Sequence, residues 1–242
     1  MVEMWISRAA VSSSAPTTLL SAPSEAASVR PPRTLNEPVG FMFSCLTADT
    51  APGLTFDIVE VEPREAAALL RSGQVDVAIT FAYSGQHFDD DVTVEHLGWD
   101  ALHLVEPSRS VGGTIAEGRA SGEREATGLR PEELRRFSDD RWIAGCERCR
   151  TGLLDLCASV GVEPDIGFAS DDVVAVQALV AAGFGVTLLS ALALAGHRNP
   201  GVVTHPVVGA GRELHVATYG APPRPAAVEE VVQTLLGLSW SA

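Results

Sequence analysis

The chain has 242 residues, 46% of them hydrophobic and 20% charged, which is enough for one large domain or for two smaller lobes with real cores. Its 31 acidic and 17 basic side chains give a net charge of −14, so the chain as a whole repels a phosphate backbone and should not bind DNA unaided. Every basic residue is an arginine, and the absence of lysine excludes a P-loop lysine and a Schiff-base enzyme.

The sequence predicts a cytoplasmic protein that makes no contact with a membrane. No stretch approaches the roughly 18 consecutive apolar residues that a membrane span needs. The N-terminus lacks the basic-then-apolar pattern of a secretory signal. In the cytoplasm the four cysteines should be reduced thiols and not a disulfide framework.

The first fifty residues differ in character from the rest of the chain. Residues 12–32 are rich in Ser, Ala and Pro without a helical or strand period, which predicts a flexible tail, although residues 39–46 could form a strand. A regular pattern then begins near Thr55, with a strand, a helix and a second strand expected at residues 56–61, 63–70 and 75–81. Such a βαβ unit has parallel strands.

Predicted strands and helices alternate through the remainder of the chain. Strands are expected at residues 92–98, 101–105, 142–145, 165–169, 185–189, 202–208 and 213–219. Helices are expected at residues 129–136, 151–160, 173–182 and 225–238. Residues 87–91 read as an acidic loop and residues 108–128 as a surface excursion.

This order of elements predicts an α/β fold with two lobes. Two long crossings, near residues 101–107 and 203–212, should join two Rossmann-like lobes in the manner of a periplasmic binding protein. In open α/β sheets a ligand binds beyond the carboxyl ends of the strands, and in a bilobal protein those ends face the cleft.

Several stretches resemble one known family. These are PGLTFDIVEVEPREAAALLRSGQVDVAIT, WIAGCERCR, EPDIGFASDDVVAVQALVAAGFGVTLLS, GVVTHPV and RELHVATYG. Together they are similar to the effector-binding domain of LysR-type transcriptional regulators over about residues 52–238. The resemblance implies a tail at residues 1–50, the first part of lobe 1 at 51–106, lobe 2 at 107–204 and a return to lobe 1 at 205–242.

The resemblance also implies a function and partners. Such a domain binds a small-molecule effector, and ligand-induced lobe closure then controls transcription. It would pair as a homodimer, or as a mixed dimer with an intact regulator, and would reach DNA only through a helix-turn-helix. Two alternatives stay open at this point: a CxxC dithiol redox enzyme, and a solute-binding protein, against which the missing secretory signal argues.

The N-terminal part departs from the family pattern. Neither a helix-turn-helix nor a linker helix is visible in residues 1–50, and too few residues separate the 39–46 patch from Leu54 for a parallel crossover. The first lobe is therefore expected to be incomplete, lacking a helix and its central strand. A truncated gene or a reading-frame error upstream of about Pro52 is the hypothesis that follows.

The CxxC motif formed by Cys146 and Cys149 is the main candidate site. A zinc site needs four ligands and no second pair is visible, while Cys157 falls on the apolar side of its helix. Cys149 lies near a helix start between Arg148 and Arg150, which should favour its thiolate. The helix start and its two arginines also suit a bound carboxylate. The alternative is that both arginine side chains point to solvent and bind nothing.

The remaining candidates sit where predicted strands end. Their expected role is effector binding. The structural alternative is helix capping for Ser170 and Asp171, and a helix C-cap and tight turn for Gly183 and Gly185. The full candidate set is Thr80, Phe81, Tyr83, Gly145, Cys146, Arg148, Cys149, Ser170, Asp171, Gly183 and Gly185. The six histidines are scattered, so no catalytic residue, metal site or cofactor is predicted.

Overall fold

The computed structural model describes residues 3–11, 54–61, 63–108 and 128–238. Its strands are β1 Glu3–Val11, β2 Leu54–Val61, β3 Val77–Ala82, β4 Val92–Pro107, β5 Arg141–Ala144, β6 Asp165–Ala169, β7 Thr187–Ser190 and β8 Val202–Tyr219. Its α-helices are α1 Pro63–Arg71, α2 Glu147–Ser159, α3 Val173–Ala181, α4 Ala191–Gly196 and α5 Ala226–Leu236, and a 3₁₀ helix spans Pro131–Phe137.

Two long antiparallel strands, β4 and β8, connect the two lobes. They lie side by side in a six-stranded sheet of order β2-β1-β3-β8-β4-β7, while β5 and β6 form a parallel pair. Strands β1 to β3 with α1 and α5 belong to lobe 1, and β5 to β7 with α2, α3 and α4 belong to lobe 2. The two predicted crossings and the bilobal α/β architecture are therefore confirmed.

Each long strand was expected as two short ones. The expected breaks lay at residues 99–100 and 209–212, whereas the structure continues both strands and shifts the register of the β4–β8 pairing between His96 and Gly98 and between Ala101 and His103. A β-bulge absorbs extra residues without ending the strand, so the alternation slips while the pairing continues. A pattern search that relies on strict alternation reads such a strand as two.

Strand β1 was not expected. It lies between β2 and β3 and runs antiparallel to both, where the sequence predicted a tail and a lobe without its central strand. The physical reason is that β2 and β3 would otherwise leave rows of backbone N–H and C=O groups unpaired. It also means that β2 and β3 are not direct neighbours. The patch at residues 39–46 lies outside the described residues, as does nearly all of the 108–128 excursion.

Both lobes have apolar cores beneath their helices. In lobe 1, α5 packs on β3 and β8 through Val228, Val231, Val232 and Leu235, all buried. In lobe 2, one cluster lies under α2 and the 3₁₀ helix, and a second lies under α3 and α4. No helix in the described ranges is long and apolar enough to cross a membrane.

Helix α2 begins earlier than the sequence pattern indicated. It starts at Glu147, four positions before Thr151, with Cys146 as its N-cap residue. The apolar periodicity of a helix marks only the turns that pack on a core, and the polar first turn carries no such mark. As a consequence Cys149 lies inside the first turn of the helix and not ahead of it.

Candidate functional site

The first turn of α2 lies where the two lobes meet. Strand β5 ends at Ala144, and Gly145 and Cys146 lead directly into the helix. Cys146 makes no side-chain capping hydrogen bond, and it packs in the lobe 1 core together with Phe81 and Val231. The start of a lobe 2 helix is therefore anchored in lobe 1.

Gly145 allows the chain to turn tightly at this point. A Cβ atom at this position would lie 3.0 Å from the Cβ atom of Cys149. That separation is shorter than ordinary van der Waals contact, so a larger residue would push the helix start away from β5. The glycine thus sets the position of the first turn of α2.

Cys146 and Cys149 form a hydrogen-bonded thiol pair. The Sγ of Cys146 donates to the Sγ of Cys149 at 3.1 Å. Accepting this bond, and facing the guanidinium of Arg212, lowers the pKa of Cys149 to about 6, and the same bond raises the pKa of Cys146. The thiolate expected at Cys149 is supported, but its partners are Cys146, Arg212 and Tyr83, and not the flanking arginines.

Arg148 reaches from lobe 2 to the end of β3 in lobe 1. Its Nη1 donates to the carbonyl oxygen of Phe81 at 2.6 Å and lies 3.4 Å from the hydroxyl of Thr80. Its guanidinium also lies 5.7 Å from the centroid of the Phe81 ring. Three predicted site residues from two lobes are therefore in contact.

A buried ion pair supports this region from behind. The guanidinium of Arg212 donates twice to Oδ2 of Asp100, at 2.8 and 2.7 Å, and once to the hydroxyl of Ser190 at 3.1 Å. Arg212 stacks 3.9 Å from the Phe81 ring centroid, and Asp100 also accepts the backbone N–H of Leu192. Sequence reasoning missed this pair, because its partners are 112 residues apart and neither belongs to a motif.

A narrow cavity, here called the interlobe cavity, opens beside these groups. It is lined by Tyr83, Leu102, Gly145, Cys149, Ser170, Asp171, Val173, Val176, Thr187, Leu188, Leu189 and Ser190. Its volume is about 20 Å³, close to that of one water-sized probe. A larger molecule enters only if the lobes separate.

The cavity gathers five predicted site residues and adds two hydroxyls that the sequence did not mark. The five are Tyr83, Gly145, Cys149, Ser170 and Asp171. Thr187 and Ser190, on β7, are almost fully buried, and the Thr187 hydroxyl donates to the carbonyl of Ile143 at 2.7 Å. A hydroxyl in an otherwise apolar strand was the available signal for both.

The family assignment follows from a comparison of the whole chain. The family model for the LysR substrate binding domain matches residues 48–239. The chain belongs to this family. Its members are transcriptional regulators, and this chain is the effector-binding domain of a LysR regulator. No curated protein sequence matches it significantly.

Solved LysR structures share the fold. The BenM effector binding domain with its effector benzoate superposes with a TM-score of 0.64 at 16% identity, covering 80% of this chain and 82% of BenM's domain. The Corynebacterium glutamicum OxyR C206 mutant gives 0.66 at 23% identity, covering 83% and 59%. Full-length CbnR complexed with its target DNA gives 0.63 at 15%, covering 81% and 64%. The chain thus spans less than two thirds of these two regulators.

Helix α3 of the LysR domain is capped by Asp172, not by the two predicted candidates. The Asp172 carboxylate accepts the N–H groups of Val174 and Ala175 at 2.8 and 3.1 Å. The hydroxyl of Ser170 accepts the N–H of Asp172 at 3.2 Å. The capping role falls on the residue next to the first helical position, which leaves Ser170 and Asp171 at the cavity wall.

The two glycines after α3, Gly183 and Gly185, are not part of the lining of the interlobe cavity. Gly183 has a φ of +81° and its N–H bonds to the carbonyl of Val180, as a C-cap glycine does. A Cβ at Gly185 would lie 2.4 Å from the carbonyl oxygen of Arg141. In the LysR domain both glycines therefore form the tight turn that follows α3.

A second cavity of the LysR domain, here called the outer groove, shares Tyr83 and Leu102 with the first. It is wide, at about 1050 Å³. Its lining includes the four carboxylates Asp89, Asp90, Asp155 and Glu213 and no arginine. A negatively charged groove repels an anion, so the two cavities favour different ligands.

Proposed function

We propose that this domain binds a small carboxylate at the first turn of α2, inside the cleft between the lobes. The supporting observation is the 2.6 Å bond from Arg148 in lobe 2 to the Phe81 carbonyl in lobe 1. A helix start without a side-chain cap and an arginine beside it together attract an anion. In BenM, whose fold is the same, the effector is benzoate.

The bond from Arg148 gives a mechanism for the switch. With the lobes closed, Arg148 donates to a neutral carbonyl. A carboxylate is a stronger acceptor for the same guanidinium, because the bond is then assisted by charge on both sides. A ligand that takes Arg148 away from Phe81 removes one interlobe bond and adds its own contacts. The ligand therefore shifts the population of lobe arrangements.

In the complete regulator this shift would change the position of the DNA-binding domains. We infer that the domain is a cytoplasmic sensor and not an enzyme, that it forms a homodimer or a mixed dimer with an intact regulator, and that DNA is contacted through a helix-turn-helix. The full-length CbnR structure with its target DNA supports such an arrangement for the family. Strictly monomeric behaviour in analytical ultracentrifugation would contradict the dimer.

The ligand class is tested by pairs of compounds that differ only in charge. Benzoate and a panel of small aliphatic and aromatic monocarboxylates are each titrated by calorimetry beside the matching neutral amide. At least one carboxylate should bind ten-fold or more tightly than its amide, which corresponds to about 1.4 kcal/mol. If no acid binds better than its amide, the proposal of a carboxylate site is wrong.

The site is tested by a matched pair of arginine variants. Arg148 and Arg150 are two positions apart in the same helical turn, and Arg148 is half-buried while Arg150 is exposed. The carboxylate of that panel that binds most tightly is the selected carboxylate. Arg148→Gln should weaken its binding about ten-fold or more, since a charge-assisted bond is lost. Arg150→Gln should change it less than three-fold. Equal losses of affinity for both variants would show that the overall positive charge near the helix start, and not a direct bond from Arg148, attracts the carboxylate.

A further inference from the structure

We propose that Cys149 is a site of oxidative modification, with Cys146 as its resolving thiol, and that the pair forms a reversible disulfide beside the interlobe cavity. The reactant class is a small two-electron oxidant with a weak bond between two like atoms, such as a hydroperoxide or a low-molecular-weight disulfide. The proposal concerns the chemistry of this pair and does not depend on any effector.

The geometry already brings the two sulfur atoms together. They are 3.1 Å apart in the first turn of α2, and a disulfide bond is about 2.05 Å long, so closure requires about 1 Å of approach. Cys146 is the N-cap residue and Cys149 follows three positions later, so both lie at a helix end where local adjustment is easiest.

The surroundings of Cys149 activate its sulfur as a nucleophile. Cys146 donates its S–H to it, the guanidinium of Arg212 attracts negative charge, and both favour a thiolate, with a pKa of about 6. Cys149 is also only partly buried and lines the interlobe cavity. Cys157 is the contrast within the same helix, because burial in an apolar cluster raises its pKa to about 11.

The reaction balances in two steps. The Cys149 thiolate attacks one atom of the oxidant, the weak bond breaks, and the leaving atom takes a proton from solvent. The Cys146 thiol then attacks the modified sulfur, the disulfide forms, and the second half of the oxidant leaves with the Cys146 proton. The two sulfur atoms lose two electrons in total, and the oxidant is reduced to two water or alcohol molecules, or to two thiols.

The modification also changes the effector site, a consequence that rests on the proposed function. Closing the disulfide removes a negative charge that faces Arg212, and it removes the sulfur acceptor near Tyr83. Since that charge opposes an anion at the first turn of α2, the oxidised domain should bind the selected carboxylate about three- to ten-fold more tightly.

The modification is tested by mass spectrometry on the full chain. The reduced protein is exposed in separate samples to hydrogen peroxide and to glutathione disulfide, free thiols are blocked, and the protein is cut with trypsin. Arg148 lies between the two cysteines, so a disulfide joins peptide 142–148 to peptide 149–150. We expect this linked pair in at least one sample, and its loss after dithiothreitol.

Variants make the assignment specific. Cys146→Ser should leave Cys149 carrying the oxidant's group, as a sulfenic acid or a glutathione adduct, with no linked pair. Cys157→Ala should still give the linked pair. Absence of the link in both samples, or oxidation of Cys157 before the pair while circular dichroism shows a folded protein, overturns the proposal. Because the readout needs no effector, its failure is distinct from failure of the proposed carboxylate site.

Discussion

Two helices begin at the interlobe cavity, and their first turns are stabilised in different ways. Helix α3 is completed by a local side chain, since Asp172 accepts two of the N–H groups that no helix can satisfy internally. Helix α2 begins at Cys146 without such a cap. It depends on contacts from distant parts of the chain, namely the lobe 1 core, the Phe81 carbonyl and the buried ion pair of Arg212.

This difference separates a structural helix start from one that is available for chemistry. The capping carboxylate of α3 occupies the place that an anion would take, so that end of the cavity is closed to anions. The start of α2 holds an arginine and a thiol pair instead, and its stability is supplied from outside. Substitutions that remove the contacts of α2 with lobe 1 or with the Asp100–Arg212 ion pair should therefore weaken both the helix and the effector site. Substitutions at the α3 cap should lower stability alone.

The largest effect should come from removing the buried carboxylate of the ion pair. Asp100→Ala leaves Arg212 buried with its main partner gone, and breaking a buried pair in this way costs about 3–5 kcal/mol. Chemical denaturation should show this loss. The molecules that remain folded should also bind the carboxylate poorly. Arg212 stacks on Phe81 behind the site, so the loss of Asp100 should disturb the position of Phe81.

An exposed ion pair is the control for this experiment. Arg71 lies 2.5 Å from Asp89 and 2.6 Å from Asp91 on the surface of lobe 1. Those bonds are short, yet solvent screens them, so Arg71→Ala should lower the stability far less. If Arg71→Ala costs as much as Asp100→Ala, then burial is not what makes the Asp100 pair important.

A smaller effect is expected at the α3 cap. Asp172→Ala removes an acceptor of two backbone N–H groups and should cost about 1 kcal/mol of unfolding free energy. Asp172→Asn is the matched control, because asparagine caps a helix nearly as well and should cost only a few tenths of that. Carboxylate affinity should stay within two-fold in both. A large loss of affinity with Asp172→Asn would show that α3 contributes to the effector site.

How far the sequence predicts this arrangement depends on how local each contact is. The meeting of the segments after β5 and β3 at the cleft was predictable, since a bilobal α/β fold brings such strand ends together, although the first residue of α2 was not. The thiol pair was predictable as well, because its two members lie three residues apart. These are contacts that the order of elements alone produces.

The parts that could not be predicted depend on tertiary contacts or on departures from regular pattern. The pairing of Asp100 with Arg212 joins two long strands across 112 residues, and neither residue differs in the sequence from a surface charge. Strand β1 precedes residues 12–32, whose sequence is rich in Ser, Ala and Pro without a regular period, so its pairing between β2 and β3 had no local signal. The merging of β4 and of β8 into single strands depended on bulges, which break the alternation that identifies a strand.

The smallest change is a single proton on Cys149, and it sharpens the contrast between the two helix starts. Alkylation by iodoacetamide requires the thiolate, so the rate at Cys149 should fall with acidity only below a pH of about 6, its pKa in the folded domain. Cys157 on the same helix should remain slow until far higher pH, since its pKa is raised to about 11. Peptide-resolved alkylation rates measure both.

The same pKa shifts fix the sign of the stability change. Between about pH 6 and 9 the unfolded chain holds the Cys149 proton that the folded domain has lost, so stability should rise with pH there and the contribution should vanish as pH falls through 6. Above about pH 9 the raised pKa of Cys146 reverses the slope, because the folded domain keeps a proton that the unfolded chain releases. Cys149→Ser should remove the rise below pH 9, whereas Asp172→Asn should leave it in place. If the rise survives Cys149→Ser, another group causes it. The start of α2 would then carry no thiolate that distinguishes it from the start of α3.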